Sequence, residues 1–105
     1  MAIIKPREEV HATRQIIIMN ELGLHARPAA EFVRRANGFR SEIWILTEHE
    51  RFSALSLIDV MRANLNQGAV ATLEAIGPDA LEAVECLEKI VTSGLSETQG
   101  KKAKL

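Results

Sequence analysis

The chain has 105 residues, of which 47% are hydrophobic, and this is enough for one domain with a single packed core. Thirteen basic and fourteen acidic residues leave a net charge of −1, which excludes a generally basic nucleic-acid-binding protein, and the aromatic content of 4% argues against a stacking surface for single strands. The single cysteine excludes a disulfide within the chain. The sequence also has no apolar run of membrane-spanning length and no signal-peptide pattern, so we expect a cytoplasmic protein that neither enters a membrane nor binds nucleic acid.

The two ends of the chain show no regular hydrophobic period. Residues 1–13 carry a proline in mid-run and indicate an N-terminal extension. Residues 94–105 are rich in glycine and lysine and indicate a flexible C-terminal tail. The domain is therefore predicted to span residues 14–93.

Seven elements are predicted inside these limits, because β-branched runs favour strands and apolar residues at helical spacing favour helices. In chain order they are a strand at 14–19, a helix over 25–37, strands at 42–47 and 51–54, a helix over 56–64, a strand at 69–76 and a last helix opened by Gly77 and Pro78, with a turn at 20–23 between the first strand and the first helix. The order βαββαβα predicts an α+β fold, an open-faced β-sandwich in which three helices cover one face of a four-stranded antiparallel sheet. The apolar residues expected beneath the helices are Ile16, Ile18, Ile43, Ile45, Ala71, Leu73 and Ala75.

The opposite face of this sheet is predicted to be more apolar than usual. By alternation it receives Ile17, Met19 and Trp44, whereas open antiparallel faces are mostly polar. We expect these side chains to be covered by the N-terminal segment or by a second subunit, and an exposed tryptophan is the remaining alternative. The apolar residues of that segment are Ile3, Ile4 and Val10.

One short segment, Gly23 to Pro28, combines residues that suit a phosphoryl group. His25 stands where the turn passes into the helix, and Ala26 and Arg27 are among the first helical residues. A helix start offers unpaired N–H groups and the positive end of the dipole to an anion, and Arg27 adds a planar, permanently charged donor. Positive surroundings favour neutral imidazole, which is the nucleophilic form. The pattern is typical of a reversible phosphohistidine, but a histidine that only caps the helix fits it too.

The ten residues from Gly23 to Phe32, GLHARPAAEF, resemble the active-site signature of HPr, the histidine-containing phosphocarrier of the bacterial phosphotransferase system. The resemblance continues at residues 36–39, at residues 56–58 and at Gly68, and it covers about residues 14–92. It implies the HPr-like βαββαβα fold. It also implies a phosphoryl relay without a cofactor rather than a stand-alone enzyme.

The resemblance assigns a role to each residue of the signature. It implies that His25 accepts a phosphoryl group on Nδ1 from phospho-Enzyme I, which phosphoenolpyruvate charges, and passes it to a histidine of an Enzyme IIA domain in sugar uptake. Ala26 and Arg27 are implied to bind the phosphoryl group, and Arg27 orients it without reacting.

Ser56 matches the serine that HPr kinase/phosphorylase modifies in many bacteria. A phosphate at a helix N-cap is favoured by the helix dipole, although Asp59 lies one turn away and would repel it. The alternative is that Ser56 is only an N-cap.

A second set of residues matches the apolar surface through which HPr proteins dock Enzyme I and Enzyme IIA. Its members are Leu24, Leu57, Ile58 and Met61. Because apolar residues at helical spacing also build cores, we expect the last three to divide, with a rim exposed beside His25 and the rest buried.

Three departures from the family pattern leave the branch of the family open. Leu22 stands where sugar-transport carriers often have Asn or Ser, and the Leu22-Gly23 pair is common in the nitrogen-related branch. Arg62 replaces a small or apolar residue near the docking helix. Asn64 replaces a glycine but tolerates left-handed geometry. A nitrogen-type regulatory carrier, or a binding module that has lost transfer, therefore stands beside the sugar-transport assignment.

No metal site is expected, because the three histidines are far apart in the sequence and lack cysteine or carboxylate neighbours at ligand spacing. Cys86 lies beside the apolar stripe of the last helix and is expected to be an inert core or boundary residue. Self-association through the open sheet face stays open.

Overall fold

The computed structural model describes residues 10–21, 23–24 and 26–93, so residues 1–9, Leu22, His25 and residues 94–105 lie outside the described part. The elements are β1 (Val10–Ile17), α1 (Ala26–Ala36), β2 (Glu42–Leu46), β3 (Arg51–Ser53), α2 (Leu57–Arg62), β4 (Val70–Gly77) and α3 (Ala80–Ser93). The predicted order βαββαβα is confirmed.

The four strands form one antiparallel sheet in the order β1-β4-β2-β3. β4 therefore lies between β1 and β2, although it is the last strand in the chain. Ala71 of β4 faces Ile16 of β1, and Leu73 of β4 faces Ile45 of β2, which brings the apolar residues of three strands into one row. This confirms the predicted fold class.

β1 begins at Val10 rather than at the predicted Arg14. The four residues from Val10 to Thr13 pair with residues 74–77 of β4, so they belong to the sheet and not to an extension. The strand start was missed because β1 is an edge strand and this half is exposed or only partly buried on both faces. It therefore lacks the alternation of apolar and polar residues on which a strand prediction depends.

The core lies between the sheet and the helices. All seven positions predicted to lie beneath the helices are buried. Phe32 of α1, Val60 of α2 and Leu87 of α3 are also fully buried, so each helix contributes a large apolar side chain to the same cluster. Removing this apolar surface from water, at roughly 25 cal/mol per Å², is what holds the helices on the sheet.

The other face of the sheet carries Ile17 and Trp44, as predicted. Ile17 is about half exposed, whereas Trp44 is partly covered by the guanidinium of Arg51, which lies 4.0 Å from the ring centroid. Val10 was expected to help cover this face, but alternation along β1 places Val10 on the same side as Ile16, which is the helix-covered side. That expectation is wrong for Val10.

Candidate functional site

α1 begins at Ala26, the residue that follows His25 in the sequence. His25 itself lies outside the described residues, as do Leu22 and the side chain of Ala26. Pro28 fits the first turn because an N–H there has no partner within the helix. The first turn contains no acidic residue, so no carboxylate of the helix offsets the positive end of the dipole. The start of α1 is therefore suited to an anion.

Arg27 is the second residue of α1, so it carries a positive charge in the first turn of the helix. Its side chain is exposed, and none of the described residues makes a hydrogen bond or ion pair with its guanidinium. The arginines at the other end of α1 differ, because Arg34 and Arg35 bind the carboxylate of Glu31 at 2.9 and 3.0 Å. The hydrogen bond from Arg34, helped by Arg35 and opposed by partial burial, lowers the pKa of Glu31. Arg27 thus differs from both arginines in having no carboxylate partner among the described residues.

The turn before α1 is fixed against the segment that follows α2. Gly23 has a φ of +73°, and a Cβ at this position would lie 2.7 Å from the carbonyl oxygen of Leu65. The amide of Gly23 donates to Asn20 at 2.9 Å, which confirms the predicted turn, and the amide of Leu24 donates to Leu65 at 2.8 Å. The residue immediately before His25 is therefore held in place by backbone contacts.

Leu24 does not lie on a docking surface. Its side chain is fully buried in the core, so the expectation that it meets a partner is wrong. A single leucine in a turn carries no periodicity, and nothing in the sequence distinguishes a buried anchor from an exposed contact there.

α2 lies beside α1 in the opposite direction. The turn that precedes α1 is bonded to Leu65, just after α2, while the side-chain amide of Asn37, just after α1, donates to the carbonyl of Leu55, just before α2, at 3.2 Å. Asn64 has a φ of 50° and so adopts the left-handed geometry anticipated for it. These contacts place the end of α2 beside the start of α1.

Three exposed apolar side chains form what we call the α2 patch: Leu57, Ile58 and Met61. Leu57 and Met61 are 40% and 41% exposed, and Ile58 is 70% exposed. The expected division into buried and exposed members is wrong, because Val60 is the residue of α2 that enters the core. A helix of six residues has room for one such anchor, and the rest of its apolar surface faces outward, as is typical of an interaction site.

Ser56 caps α2, as predicted. Its hydroxyl accepts a hydrogen bond of 3.2 Å from the amide of Asp59. The carboxylate of Asp59 in turn binds Arg62 at 3.3 Å. Because α1 and α2 run in opposite directions, Ser56 lies near the end of α1 and not near its start.

Arg62, the departure noted in the sequence, connects α2 to the turn between β2 and β3. Its guanidinium binds Glu50 at 3.2 Å and lies 5.3 Å from the ring centroid of Phe52. The substitution therefore introduces a charge that is already paired.

Asn20 is a residue that the sequence analysis missed. Its side chain is buried, and its Oδ1 has no hydrogen-bond partner among the described residues. Its backbone carbonyl accepts from the amide of Gly23, so a residue with a buried side chain closes the turn that leads to His25. An Asn at the first position of a tight turn was the available signal.

Within the described ranges, no group of three His, Cys, Asp or Glu side chains is arranged to hold a metal ion. Cys86 is partly buried, and its sulfur lies 3.8 Å from Nη1 of Arg35. None of the helices over the described residues combines the length and apolar character needed to cross a membrane.

Comparison with known proteins gives consistent matches. The family model described as the PTS HPr component phosphorylation site matches residues 12–93. The phosphocarrier protein HPr of Vibrio cholerae is 43% identical over 74 residues, which cover 70% of this chain and 87% of that protein. The HPr of Buchnera aphidicola is 42% identical over 78 residues, covering 74% and 92%.

Solved structures extend the agreement to three dimensions. The crystal structure of HPr from Bacillus anthracis superimposes with a TM-score of 0.76 at 33% identity, covering 78% of this chain and 98% of that one. HPr-C-His from Thermoanaerobacter tengcongensis gives a TM-score of 0.75 at 39% identity, with coverage of 78% and 92%. With the family model matching most of the chain and the same fold in these relatives, the chain belongs to the HPr family of phosphocarrier proteins of the phosphotransferase system.

Proposed function

We propose that this chain accepts a phosphoryl group on Nδ1 of His25 from phospho-Enzyme I and passes it to a histidine of an Enzyme IIA domain in sugar uptake. The observation that carries the proposal is the placement of the Gly23–Pro28 signature at the start of α1. Leu24 is anchored on one side of His25, and Arg27 is exposed on the other.

Each transfer exchanges one P–N bond for another. The lone pair on Nδ1 of neutral His25 attacks the phosphorus, the bond to the histidine of Enzyme I breaks, and the proton on Nε2 of His25 stays in place. In the next step a histidine of Enzyme IIA attacks in the same way, and His25 is the leaving group. The carrier therefore returns to its starting state and catalyses no net reaction alone.

The protein supplies position and charge to this exchange. Phosphoryl transfer spreads negative charge over the equatorial oxygens of the group, and stabilising that charge is the main task of the surrounding residues. The N–H groups at the start of α1 and the guanidinium of Arg27 are the donors available for it. Arg27 orients the group and forms no bond to phosphorus.

The α2 patch is the surface through which we propose that Enzyme I and Enzyme IIA dock. Leu57, Ile58 and Met61 offer a contiguous apolar surface on the helix whose end is bonded to the segment before His25. Since both partners use one patch, they bind in turn, which suits a carrier that must leave its donor to reach its acceptor.

Ser56 is proposed as a regulatory site for HPr kinase/phosphorylase. Its hydroxyl lies at the N-terminus of α2, directly before Leu57 and Ile58 of the patch. A phosphate there adds negative charge at the border of an apolar docking surface, and this charge would have to be desolvated when a partner binds.

The test is phosphorylation with purified Enzyme I and phosphoenolpyruvate. We expect a mass gain of about 80 Da that is lost in acid, as a phosphohistidine requires. His25→Ala abolishes the gain, whereas His49→Ala, which removes an exposed histidine elsewhere in the chain, keeps it.

Absence of the gain with an Enzyme I that phosphorylates another HPr would favour a binding module. Loss of the gain on adding a nitrogen-type Enzyme IIA, but not a sugar-specific one, would assign the chain to the regulatory branch.

A further inference from the structure

The side chain of Asn20 is buried without a hydrogen bond to its carbonyl oxygen. Asn20 is only 4% exposed, and its Oδ1 accepts nothing from the described residues. Ser41, the other buried polar residue in this part of the chain, differs, because its hydroxyl donates to Asp79 at 2.7 Å. Buried polar groups in folded proteins nearly always have a partner, and an exception calls for an explanation. Oδ1 of Asn20 is therefore an acceptor in need of a donor.

The described donors around Asn20 are already bonded elsewhere. The side-chain amide of Gln67, which reaches the same turn, donates to the carbonyl of Met19 at 3.4 Å. The donors that remain nearby in the sequence include the amide of Leu22 and the ring of His25, both outside the described residues. Four backbone amides of the segment donate to carbonyl oxygens at 2.8 to 3.0 Å: Ile18, Met19, Gly23 and Leu24.

His25 is close enough to Asn20 in the chain to supply the donor. The hydrogen bond of 2.9 Å from the amide of Gly23 to the backbone carbonyl of Asn20 turns the chain back at this point. His25 follows Gly23 by two residues, which span at most about 7 Å. An imidazole and a carboxamide side chain that approach each other can bridge a separation of this size.

The proposed transfer gives the ring of His25 a need for such an acceptor. Neutral imidazole carries its proton on one nitrogen and a lone pair on the other, so attack by Nδ1 requires the proton on Nε2. An acceptor for Nε2–H selects this tautomer and orients the ring. A carboxamide oxygen does so without a charge, whereas a carboxylate would also favour the imidazolium, which has no free lone pair for the attack. Asparagine therefore suits this task better than aspartate.

We propose that Oδ1 of Asn20 accepts a hydrogen bond from Nε2–H of His25 and thereby holds the ring in the tautomer that presents Nδ1 to phosphorus. Asn20 is then a positioning residue, which acts through His25 and touches neither the phosphoryl group nor a partner protein. The inference rests on the proposed function of His25 and names the group that keeps its proton in place during both transfers.

The imidazole nitrogen chemical shifts of His25 in the full chain test the proposal, because they distinguish the two neutral tautomers without any partner protein. Asn20→Ala removes the acceptor, and Asn20→Asp keeps an oxygen at the same place. Gln67→Ala is the matched control, since it removes the other side-chain amide of this turn. At a pH where the ring is neutral, we expect the Nε2–H tautomer to predominate in every protein except Asn20→Ala, which should hold a mixture of both tautomers.

The rate of phosphorylation by Enzyme I is the second measurement. The net contribution of a neutral hydrogen bond corresponds to about a two- to tenfold change in rate. Asn20→Ala should therefore accept the phosphoryl group more slowly than the parent by about this factor, and Gln67→Ala should accept it at the rate of the parent.

Two tautomer results would overturn the proposal. An Nδ1–H tautomer in the parent would mean that Nε2 has no proton to donate. The same tautomer ratio in Asn20→Ala and in the parent would mean that Oδ1 serves the turn alone, with the amide of Leu22 as its local donor. Should Asn20→Ala fail to fold, the parent decides, because a hydrogen-bonded Nε2–H exchanges slowly with water and gives its own proton resonance, and absence of this resonance counts against the bond.

Failure of the proposed function would look different. A parent protein that a competent Enzyme I does not phosphorylate overturns transfer by His25, whereas the tautomers are measured without Enzyme I and still decide whether Asn20 holds the ring.

Discussion

The amide of Leu24 donates a hydrogen bond of 2.8 Å to the carbonyl of Leu65, and this bond ties the residue before His25 to the segment that follows α2. The segment that leads to α1 is therefore bonded directly to the segment that follows the α2 patch. If partners dock on the α2 patch, as proposed, they meet the start of α1 beside it, and this positions the two reacting groups.

The backbone of Gly23 lies so close to Leu65 and Asn66 that Gly23→Ala should strongly reduce the free energy of unfolding. A Cβ would meet backbone atoms of Leu65 and Asn66 at 2.7 and 2.9 Å, and the φ of +73° is itself unfavourable for alanine. The conformation alone costs about 1–3 kcal/mol, and the overlap adds to it. Gly68→Ala is the matched control, since Gly68 has a φ of +90° but open space around its Cβ position. Urea denaturation should show the larger loss for Gly23→Ala, and equal losses would contradict the claimed packing.

The layered fold could be predicted because its signals are periodic. Ile43 and Ile45 alternate with Trp44 in β2, and this alternation alone identifies the buried face. The start of β1 could not be predicted, because an exposed edge strand needs no apolar alternation and is held by backbone pairing with β4. The burial of a single residue outside a helix or strand could not be predicted either, because such a residue belongs to no periodic pattern; Leu24 is an example.

The residue types of the candidate site could be predicted from the sequence, but the contacts that hold them in position could not. The signature around His25 is contiguous in sequence and so could be recognised directly. The contact between Leu24 and Leu65 joins positions 41 apart and leaves no local trace. The outward orientation of Leu57 and Met61 depends on which residue of α2 reaches the core, and only packing decides that in favour of Val60.

Arg27→Ala should slow phosphorylation of the chain while leaving its stability unchanged. The side chain is exposed and its guanidinium makes no hydrogen bond or ion pair with the described residues, so its loss removes no such interaction from the fold, but it removes a charged donor to the phosphoryl group. A hydrogen bond to a charged group contributes about 1.5–3 kcal/mol, which corresponds to a rate lower by roughly 10- to 160-fold. Arg34→Ala, at the far end of α1, should transfer at the normal rate. A normal rate for Arg27→Ala with Enzyme I would show that Arg27 does not bind the group.

Substitutions of Ser56 should separate capping from regulation. Ser56→Ala removes the acceptor for the amide of Asp59 and should cost about 1 kcal/mol in the free energy of unfolding. Ser56→Asp keeps an acceptor at the N-cap and should retain most of this stability, but it places a negative charge beside the α2 patch. We therefore expect slower transfer from Enzyme I for Ser56→Asp than for Ser56→Ala, measured with both variants folded. The reverse order would remove the basis for regulation at this position.

The ionisation of Asp79 should make the stability of the protein depend on pH. Its carboxylate accepts hydrogen bonds from the amide of Arg40 at 2.9 Å and from the hydroxyl of Ser41 at 2.7 Å, and so joins the loop before β2 to the start of α3. Burial opposes ionisation, but these hydrogen bonds outweigh it and lower the pKa of Asp79. Because the pKa is lower in the folded chain, the stabilisation is complete above the pKa of the unfolded chain, near 4, and is lost as the pH falls through the folded value.

Asp79→Asn should therefore destabilise the protein at pH 7 by about 1–2 kcal/mol, and the difference from the parent should shrink at pH 3. Urea denaturation at the two pH values measures this directly. Glu82→Gln, in the first turn of α3 and exposed, serves as the control and should change little at either pH. A difference that stays constant with pH would mean that the ionised carboxylate is not what stabilises this junction.

Ile58→Glu tests the α2 patch without disturbing the core. Ile58 is 70% exposed, so the substitution should leave the free energy of unfolding within about 0.5 kcal/mol of the parent. A charge at the centre of an apolar docking surface must be desolvated on binding, and truncation of a central interface residue commonly costs at least 2 kcal/mol, or roughly 30-fold in affinity. Leu81→Glu makes the same change at a 49% exposed leucine of α3, outside the patch.

Titration of Enzyme I with the parent and the two variants should show weak binding for Ile58→Glu alone. Equal affinities would place the docking surface elsewhere, whereas equal weakening by both variants would point to added charge as the cause.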